Sequence, residues 1–120
     1  MPRLPIQLRR MAKRAAIGIG RTGTPGGHYS GDIFLAFSTA NDIGLPSLTT
    51  EEQPPSYKLE CINDHFFDDI YEAVVQAIEE AILNAMIAAE TMTLIKPTGY
   101  AFEAIDHGRL MEIMKQYNRL

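Results

Sequence analysis

The feature that most constrains the fold of this chain is an apolar run from Asp32 to Ala40, which reads Asp-Ile-Phe-Leu-Ala-Phe-Ser-Thr-Ala. The run is short, rich in aromatic residues and apolar at both odd and even positions, which is typical of a strand covered on both faces. Such a strand needs neighbours, because one or two strands do not make a stable sheet. Only residues 57–62 offer a second, weaker strand pattern, so the chain supplies fewer strands than this run requires.

Helical periodicity accounts for most of the remaining sequence. Residues 5–19 predict an amphipathic helix that starts at Pro5 and is ended by glycines 18, 20 and 23. A longer helix, capped by Asn63 or Asp64, is predicted to run to about Thr93 and to be largely buried. After a turn at residues 96–99, Asp106 is expected to cap a last helix. Two loops complete the order: a glycine-rich one over 20–31 and a proline-containing one over 41–56.

Size and composition exclude several function classes. The chain has 120 residues, which allows one domain at most, and its 46% apolar and 22% charged content is ordinary for a globular protein. The net charge of −4 argues against a general nucleic-acid binder. No apolar stretch long enough for a membrane span and no secretory signal are visible, and the single cysteine, Cys61, fits a reducing compartment. A cytoplasmic protein with no membrane or nucleic-acid partner is therefore expected.

Three motifs of weak specificity also have simpler interpretations. Glycines 18, 20 and 23 match the dinucleotide pattern G-x-G-x-x-G, but the preceding helix and following loop reverse the order that phosphate binding needs. Cys61 and His65 could be a nucleophile and a base, although a small thiol more often lies inert in a core. The histidines at 28, 65 and 107 show no metal-ligand spacing, so no metal site is expected.

The segment Gly26-Gly27-His28-Tyr29-Ser30-Gly31-Asp32 is the strongest candidate site. It leads from the glycine loop into the apolar run, and alternation along a strand places Ser30 and Asp32 on the same face, with Gly31 turned away. A carboxylate beside a hydroxyl can hold that hydroxyl in one orientation. Two interpretations remain open from the residues alone: a turn that enters a strand, or a pair of active-site groups.

Two stretches resemble the L-aminopeptidase/D-esterase family, also called the DmpA-like or β-aminopeptidase family. They are residues 5–16, PIQLRRMAKRAA, and residues 23–41, GTPGGHYSGDIFLAFSTAN. The alanine-rich helix over 73–93 and the start of the last helix at residues 106–110 are similar to the same family. Residues 1–120 thus resemble a single partial domain, the β-subunit region of such a peptidase.

The resemblance implies a fold and an activity. The fold would be α/β, part of a four-layer αββα sandwich related to ornithine acetyltransferase and to N-terminal-nucleophile hydrolases. Family members cut themselves before a serine, which becomes the nucleophile, and they remove N-terminal residues from peptides, amides or esters, including D- or β-amino acid substrates. Neither a metal nor an organic cofactor is implied. Expected partners are the α half of the enzyme or a complementing chain, further copies in an oligomer, and a peptide or an amino-acid amide or ester as substrate.

Residue by residue, Ser30 matches the second active-site serine of the family and Asp32 its acidic partner. Gly26, Gly27, His28 and Gly31 would form a loop beside the substrate. No serine of this sequence matches the nucleophile, which would fall roughly ten residues before Met1 if a strand and a turn separate it from the first helix. The chain is therefore expected to be inactive by itself, either as a fragment that another polypeptide completes or as an inert interaction remnant.

Overall fold

A computed structural model of the chain describes residues 3–29, 31–41 and 54–120. Within these ranges the regular elements are α1 Pro5–Arg21, a 3-10 turn Asp64–Phe66, α2 Phe67–Ala88, β1 Met92–Thr93, β2 Ala101–Phe102 and α3 His107–Gln116. The chain divides into two compact units, Met1–Ile78 and Glu79–Leu120, with the boundary inside α2.

Helix α1 confirms the prediction over 5–19 and continues to Arg21. It begins at Pro5, whose fixed φ suits the first turn, and the Gln7 side chain accepts a hydrogen bond from the Leu4 backbone N–H at 3.0 Å. The helix passes through Gly18 and Gly20, so the expectation that these two glycines end it is wrong. The helix ends at Arg21 with Thr22 as its C-cap, and Gly23 follows with a φ of +96°, which is readily adopted only without a Cβ.

The core of the first unit is small and lies where α1 meets the first half of α2. Its buried apolar side chains are Ala15, Phe67 and Val75. The two helices approach most closely at Gly18, where a Cβ would stand 2.7 Å from the Val75 carbonyl oxygen. Glycine is required at this position because any side chain would push the helices apart.

Helix α2 differs from its prediction in length and in burial. Asn63 caps the 3-10 turn that precedes it, as expected, by accepting a hydrogen bond from the His65 N–H at 3.0 Å. The helix ends at Ala88 rather than near Thr93, because residues 92–93 pair with residues 101–102 instead. Only Phe67 and Val75 are buried on it, so the prediction of a largely buried helix is wrong within the described chain.

The second unit contains the end of α2, a two-stranded hairpin and α3. Strands β1 and β2 are antiparallel, with Met92 opposite Phe102 and Thr93 opposite Ala101. Asp106 caps α3 as predicted, since its carboxylate accepts a hydrogen bond from the Arg109 N–H at 3.0 Å. No residue between 79 and 120 is buried, so this unit has no closed core of its own in the structure.

The two predicted strands before α2 are not formed within the described residues. Residues 32–40 belong to no ladder, although their burial follows the two-residue period of an extended chain: Phe34, Ala36 and Ser38 are half-buried, and the residues between them are exposed. The described residues place helices against one face only, and the expected cover on the second face stays a prediction. Residues 57–62 likewise form no strand.

Candidate active site

The glycine loop that follows α1 contains the positive φ angles that its composition predicts. Gly23 and Gly26 have φ values of +96° and +72°, in the region that glycine adopts at no steric cost. The Thr24 hydroxyl accepts a hydrogen bond from the Gly26 N–H at 3.2 Å. A Cβ on Gly27 or Gly31 would meet nothing within 4 Å, so the backbone of this loop is open to a ligand or to another surface.

An aromatic pair lies at the tip of this loop. The rings of His28 and Tyr29 pack edge to face, with centroids 4.9 Å apart and an angle of 73°. Tyr29 is 99% exposed, so this pair contacts little else in the described chain. His28 is exposed as well, and its assignment to a loop beside the substrate stays a prediction.

Of the predicted pair of Ser30 and Asp32, the structure describes Asp32. Ser30 lies outside the described residues. Asp32 is exposed at the start of the extended segment, and within the described ranges its carboxylate forms no hydrogen bond or ion pair. The assignment of these two residues to an active site remains a prediction.

An apolar groove supports the segment that carries Asp32. It has a volume of about 400 Å³ and is lined by Leu8, Met11, Ala12 and Ala15 of α1, residues 33–37, and Val74 and Ile78 of α2. Phe34 and Ala36 are the half-buried members of the segment, whereas Ile33, Leu35 and Phe37 are 98%, 86% and 76% exposed. The two helices thus pack against one face of the segment and leave the other face bare.

A buried glutamine connects α1 to the residues that lead into α2. Gln7 is only 3% exposed, and its side-chain N–H groups donate to the Ile62 carbonyl and to an Asp64 carboxylate oxygen, both at 2.8 Å. Arg10 donates to the second carboxylate oxygen at 3.2 Å. The hydrogen bond from Gln7, with help from Arg10 and from the charge of His65, lowers the pKa of Asp64 against a smaller opposing effect of desolvation.

A second polar contact holds the far end of the segment. The side-chain amide of Asn41 donates to the Glu60 carbonyl and accepts from the Glu60 N–H, both at 3.0 Å. This amide reproduces the two hydrogen bonds that one residue forms with its partner in an antiparallel ladder. Sequence patterns do not single out Gln7 or Asn41; the Gln at the third position of α1 indicates a cap, but not its contacts with residues 62 and 64.

The competing motifs do not form alternative sites. Gly18 and Gly20 lie within α1, with no strand before them, and Gly18 serves the close contact with α2. Cys61 is exposed, so the expectation of a buried thiol is wrong. Across residues 3–29, 31–41 and 54–120, no group of three His, Cys, Asp or Glu side chains could hold a metal ion. In the same ranges no helix combines the length and the apolar character needed to cross a membrane.

Comparison with known proteins gives consistent matches at the levels of sequence and structure. Residues 1–98 match the sequence profile of peptidase family S58. The chain is 45% identical over 123 aligned residues to the beta-peptidyl aminopeptidase BapA of Sphingosinicella microcystinivorans, with 99% of this chain and 28% of that protein covered. It therefore spans less than a third of the length of this relative.

Comparison with solved structures leads to the same kind of enzyme as the sequence matches. The L-aminopeptidase D-Ala-esterase/amidase of Ochrobactrum anthropi, a prototype of the serine aminopeptidases with a variant of the Ntn-hydrolase fold, matches all of this chain and 32% of its own length, with a TM-score of 0.86 and 48% identity. A beta-aminopeptidase from Burkholderia sp. matches 96% of this chain and 32% of its own, with a TM-score of 0.80 and 34% identity. The predicted fold class and family are confirmed: the chain belongs to peptidase family S58 and has the fold of one part of these Ntn-hydrolase-type aminopeptidases.

Proposed function

We propose that this chain is part of a serine aminopeptidase of the N-terminal-nucleophile type. Such an enzyme hydrolyses peptides, amides or esters at their N-terminal residue, including substrates with D- or β-amino acids. The observation that carries the proposal is the 45% identity to a beta-peptidyl aminopeptidase over 99% of this chain. The partner is the remaining portion of the enzyme, which corresponds to the greater length of the relatives, and the assembled protein is an oligomer.

In this proposal the chain supplies groups that support the nucleophile. Asp32 accepts a hydrogen bond from the Ser30 hydroxyl and fixes its direction, and the Ser30 oxygen in turn accepts a hydrogen bond from the nucleophilic hydroxyl and orients it. The bare loop backbone at Gly27 and Gly31 lets the substrate approach closely. The nucleophile comes from residues outside this sequence, since no serine here matches it.

A complementation assay tests the proposal. The 120-residue chain is mixed with BapA of S. microcystinivorans from which the matching region has been deleted, and release of p-nitroaniline from D-alanine and β-alanine p-nitroanilides is followed. We expect hydrolysis in the mixture and none from either component. Ser30→Ala and Asp32→Asn should each lower kcat on the order of 10²-fold, the range for one general acid–base contact. Asp68→Asn, an exposed acid on α2, is the matched control and should leave kcat unchanged.

Two results would count against the proposal. Full activity of the mixture with Ser30→Ala would remove the assigned site. Turnover by the chain alone that Ser30→Ala abolishes would show that no outside nucleophile is needed.

The exposed face of the segment favours a second candidate, an interaction remnant without catalysis. Ile33, Leu35 and Phe37 present a continuous apolar row that protein surfaces rarely leave bare. Tight binding in the mixing experiment, without hydrolysis of either substrate, favours this candidate over the enzyme.

A further inference from the structure

The hydrophobic pattern of residues 33–37 does not by itself fix the register of this segment on the helices. In most half-buried strands a shift of one residue would bring polar side chains to the covered face, which makes the shift costly. Here the covered face holds Phe34 and Ala36, and the bare face holds Ile33, Leu35 and Phe37. A one-residue shift exchanges one apolar set for another, so apolar burial in the groove discriminates poorly between the two arrangements.

A polar contact can supply the missing discrimination, and Asn41 makes one. Its amide is bonded to both the N–H and the carbonyl of Glu60 at 3.0 Å. A two-point contact of this kind is directional, and it fails when the chain shifts by about 3.3 Å, which is the rise of one extended residue.

The partner of Asn41 is itself tied to the helices. Two residues beyond Glu60, the Ile62 carbonyl accepts a hydrogen bond from buried Gln7 at 2.8 Å, and Asp64 accepts another. Residues 60–64 are therefore held in a fixed place relative to α1. The contact between Asn41 and Glu60 therefore fixes the carboxyl end of the segment relative to α1.

We propose that Asn41 is a positioning residue that sets the register of residues 32–40 on the helices. The register decides, for every residue from Asp32 onward, whether its side chain lies on the covered face or on the bare face of the segment. A shift of one residue would turn Asp32 to the opposite face. The link to catalysis rests on the proposed function, whereas the register itself does not.

Thiol labelling reports the register directly. In a Cys61→Ser background, which removes the only cysteine, a probe is introduced either by Leu35→Cys on the bare face or by Ala36→Cys on the covered face. We expect the thiol at position 35 to react with a maleimide on the order of tenfold faster than the thiol at 36, because accessibility controls the rate. Asn41→Ala should slow the reaction at 35 and accelerate it at 36, which brings the ratio to about one or below.

These opposite changes separate positioning from simple loosening. Loosening of the segment accelerates the reaction at 36 but leaves the reaction at 35 as fast as before, because that position is already exposed; this result overturns the proposal, as does an unchanged ratio. Asn84→Ala, an exposed asparagine on α2, is the matched control and should change neither rate. Asn41→Asp keeps the acceptor for the Glu60 N–H but removes the donor, so it tests the same point if Asn41→Ala does not fold. A smaller change in the same direction is expected, and an unchanged ratio in this variant also overturns the proposal.

A kinetic measurement on the complemented enzyme connects register to catalysis. Asn41→Ala should lower kcat as Asp32→Asn does, with a smaller change in KM. If the wild-type mixture shows no hydrolysis at all, the proposed function fails, and the labelling ratio still decides the role of Asn41.

Discussion

The helices of the first unit and the segment 32–40 differ in how far the chain itself completes them. Where α1 meets α2, the side chains of Gln7, Ala15 and Phe67 are buried, and Gln7 is hydrogen-bonded. The segment has one covered face, a bare apolar face and no ladder partner within the described residues. The helices are therefore specified by contacts within the sequence, whereas the proposed register of the segment depends on a polar contact at its end, and its bare face needs a surface that the described residues do not provide.

The largest effect is expected for Gln7→Ala, which removes the best-satisfied polar group of the helical region. The Leu4 N–H and the Ile62 carbonyl lose their partner, and each unpaired group costs on the order of 1–3 kcal/mol when it stays away from water. We expect a total loss of about 3 kcal/mol in the free energy of unfolding, measured by urea denaturation. Gln76→Ala, at an exposed glutamine bonded only to Glu72, should change it by less than about 0.5 kcal/mol. Equal losses in the two variants would contradict the difference between buried and exposed contacts.

Gly18→Ala should have the next largest effect. The new Cβ would lie 2.7 Å from the Val75 carbonyl oxygen and 2.9 Å from the Ile78 Cβ, so the helices must separate. We expect a loss of about 1–3 kcal/mol, typical of an overpacked contact. Gly20→Ala in the same helix meets nothing within 4 Å and should instead stabilise the chain by up to about 1 kcal/mol, through helix propensity. Thermal unfolding of the pair checks the opposite signs, and a shared sign would show that α1 does not approach α2 as described.

Asp106→Ala tests the second unit and should cause a smaller loss of stability. The carboxylate caps α3 through the Arg109 N–H at 3.0 Å, and loss of such a cap costs about 1 kcal/mol. Since residues 79–120 bury no side chain, the effect should appear as fraying of α3 in hydrogen exchange. Protection of the helices in the first unit should stay as it is, and a loss of protection there would contradict this expectation.

The smallest effect is a pH dependence from Asp64. The hydrogen bond from Gln7 is the main cause that holds the pKa of this carboxyl below its ordinary value of 3.8, and the hydrogen bond and charge of Arg10 act in the same direction. A depressed folded-state pKa adds stability above the unfolded-state value, and that stability is lost as the pH falls through the folded-state value. Asp64→Asn should therefore be less stable than the wild type at pH 7, with the gap closing below about pH 4. A gap that stays constant down to pH 2 would contradict this assignment.

Several elements could be predicted from the sequence because their causes are local. Helix α1 follows from its periodicity and from Pro5, and the caps at Asn63 and Asp106 follow from side chains that bond within three residues. The positive φ values at Gly23 and Gly26 follow from the density of glycine in the loop. The family could be recognised because the block over residues 23–41 is specific.

The remaining features depend on contacts distant in sequence. The end of α2 at Ala88 is set by the pairing of Met92 and Thr93 with residues 101–102, which no local pattern shows. Gln7 and Asn41 act through partners at positions 62, 64 and 60, so their roles are visible only in three dimensions. The residue types at 32–40 suit a covered strand, but the cover is not among the described residues. The Ser30–Asp32 pair remains a prediction, because Ser30 lies outside them.

Hydrogen exchange tests the central difference most directly. The amides of residues 33–37 are compared with those of α1 around Ala15, first in the 120-residue chain and then after addition of BapA lacking the matching region. We expect slow exchange around Ala15 in both samples, and fast exchange at 33–37 that becomes slow only in the mixture. Slow exchange at 33–37 in the chain alone would show that the segment is already complete. Fast exchange that persists after binding would show that the added polypeptide does not cover it, and either result would contradict the proposed difference between the helices and the segment.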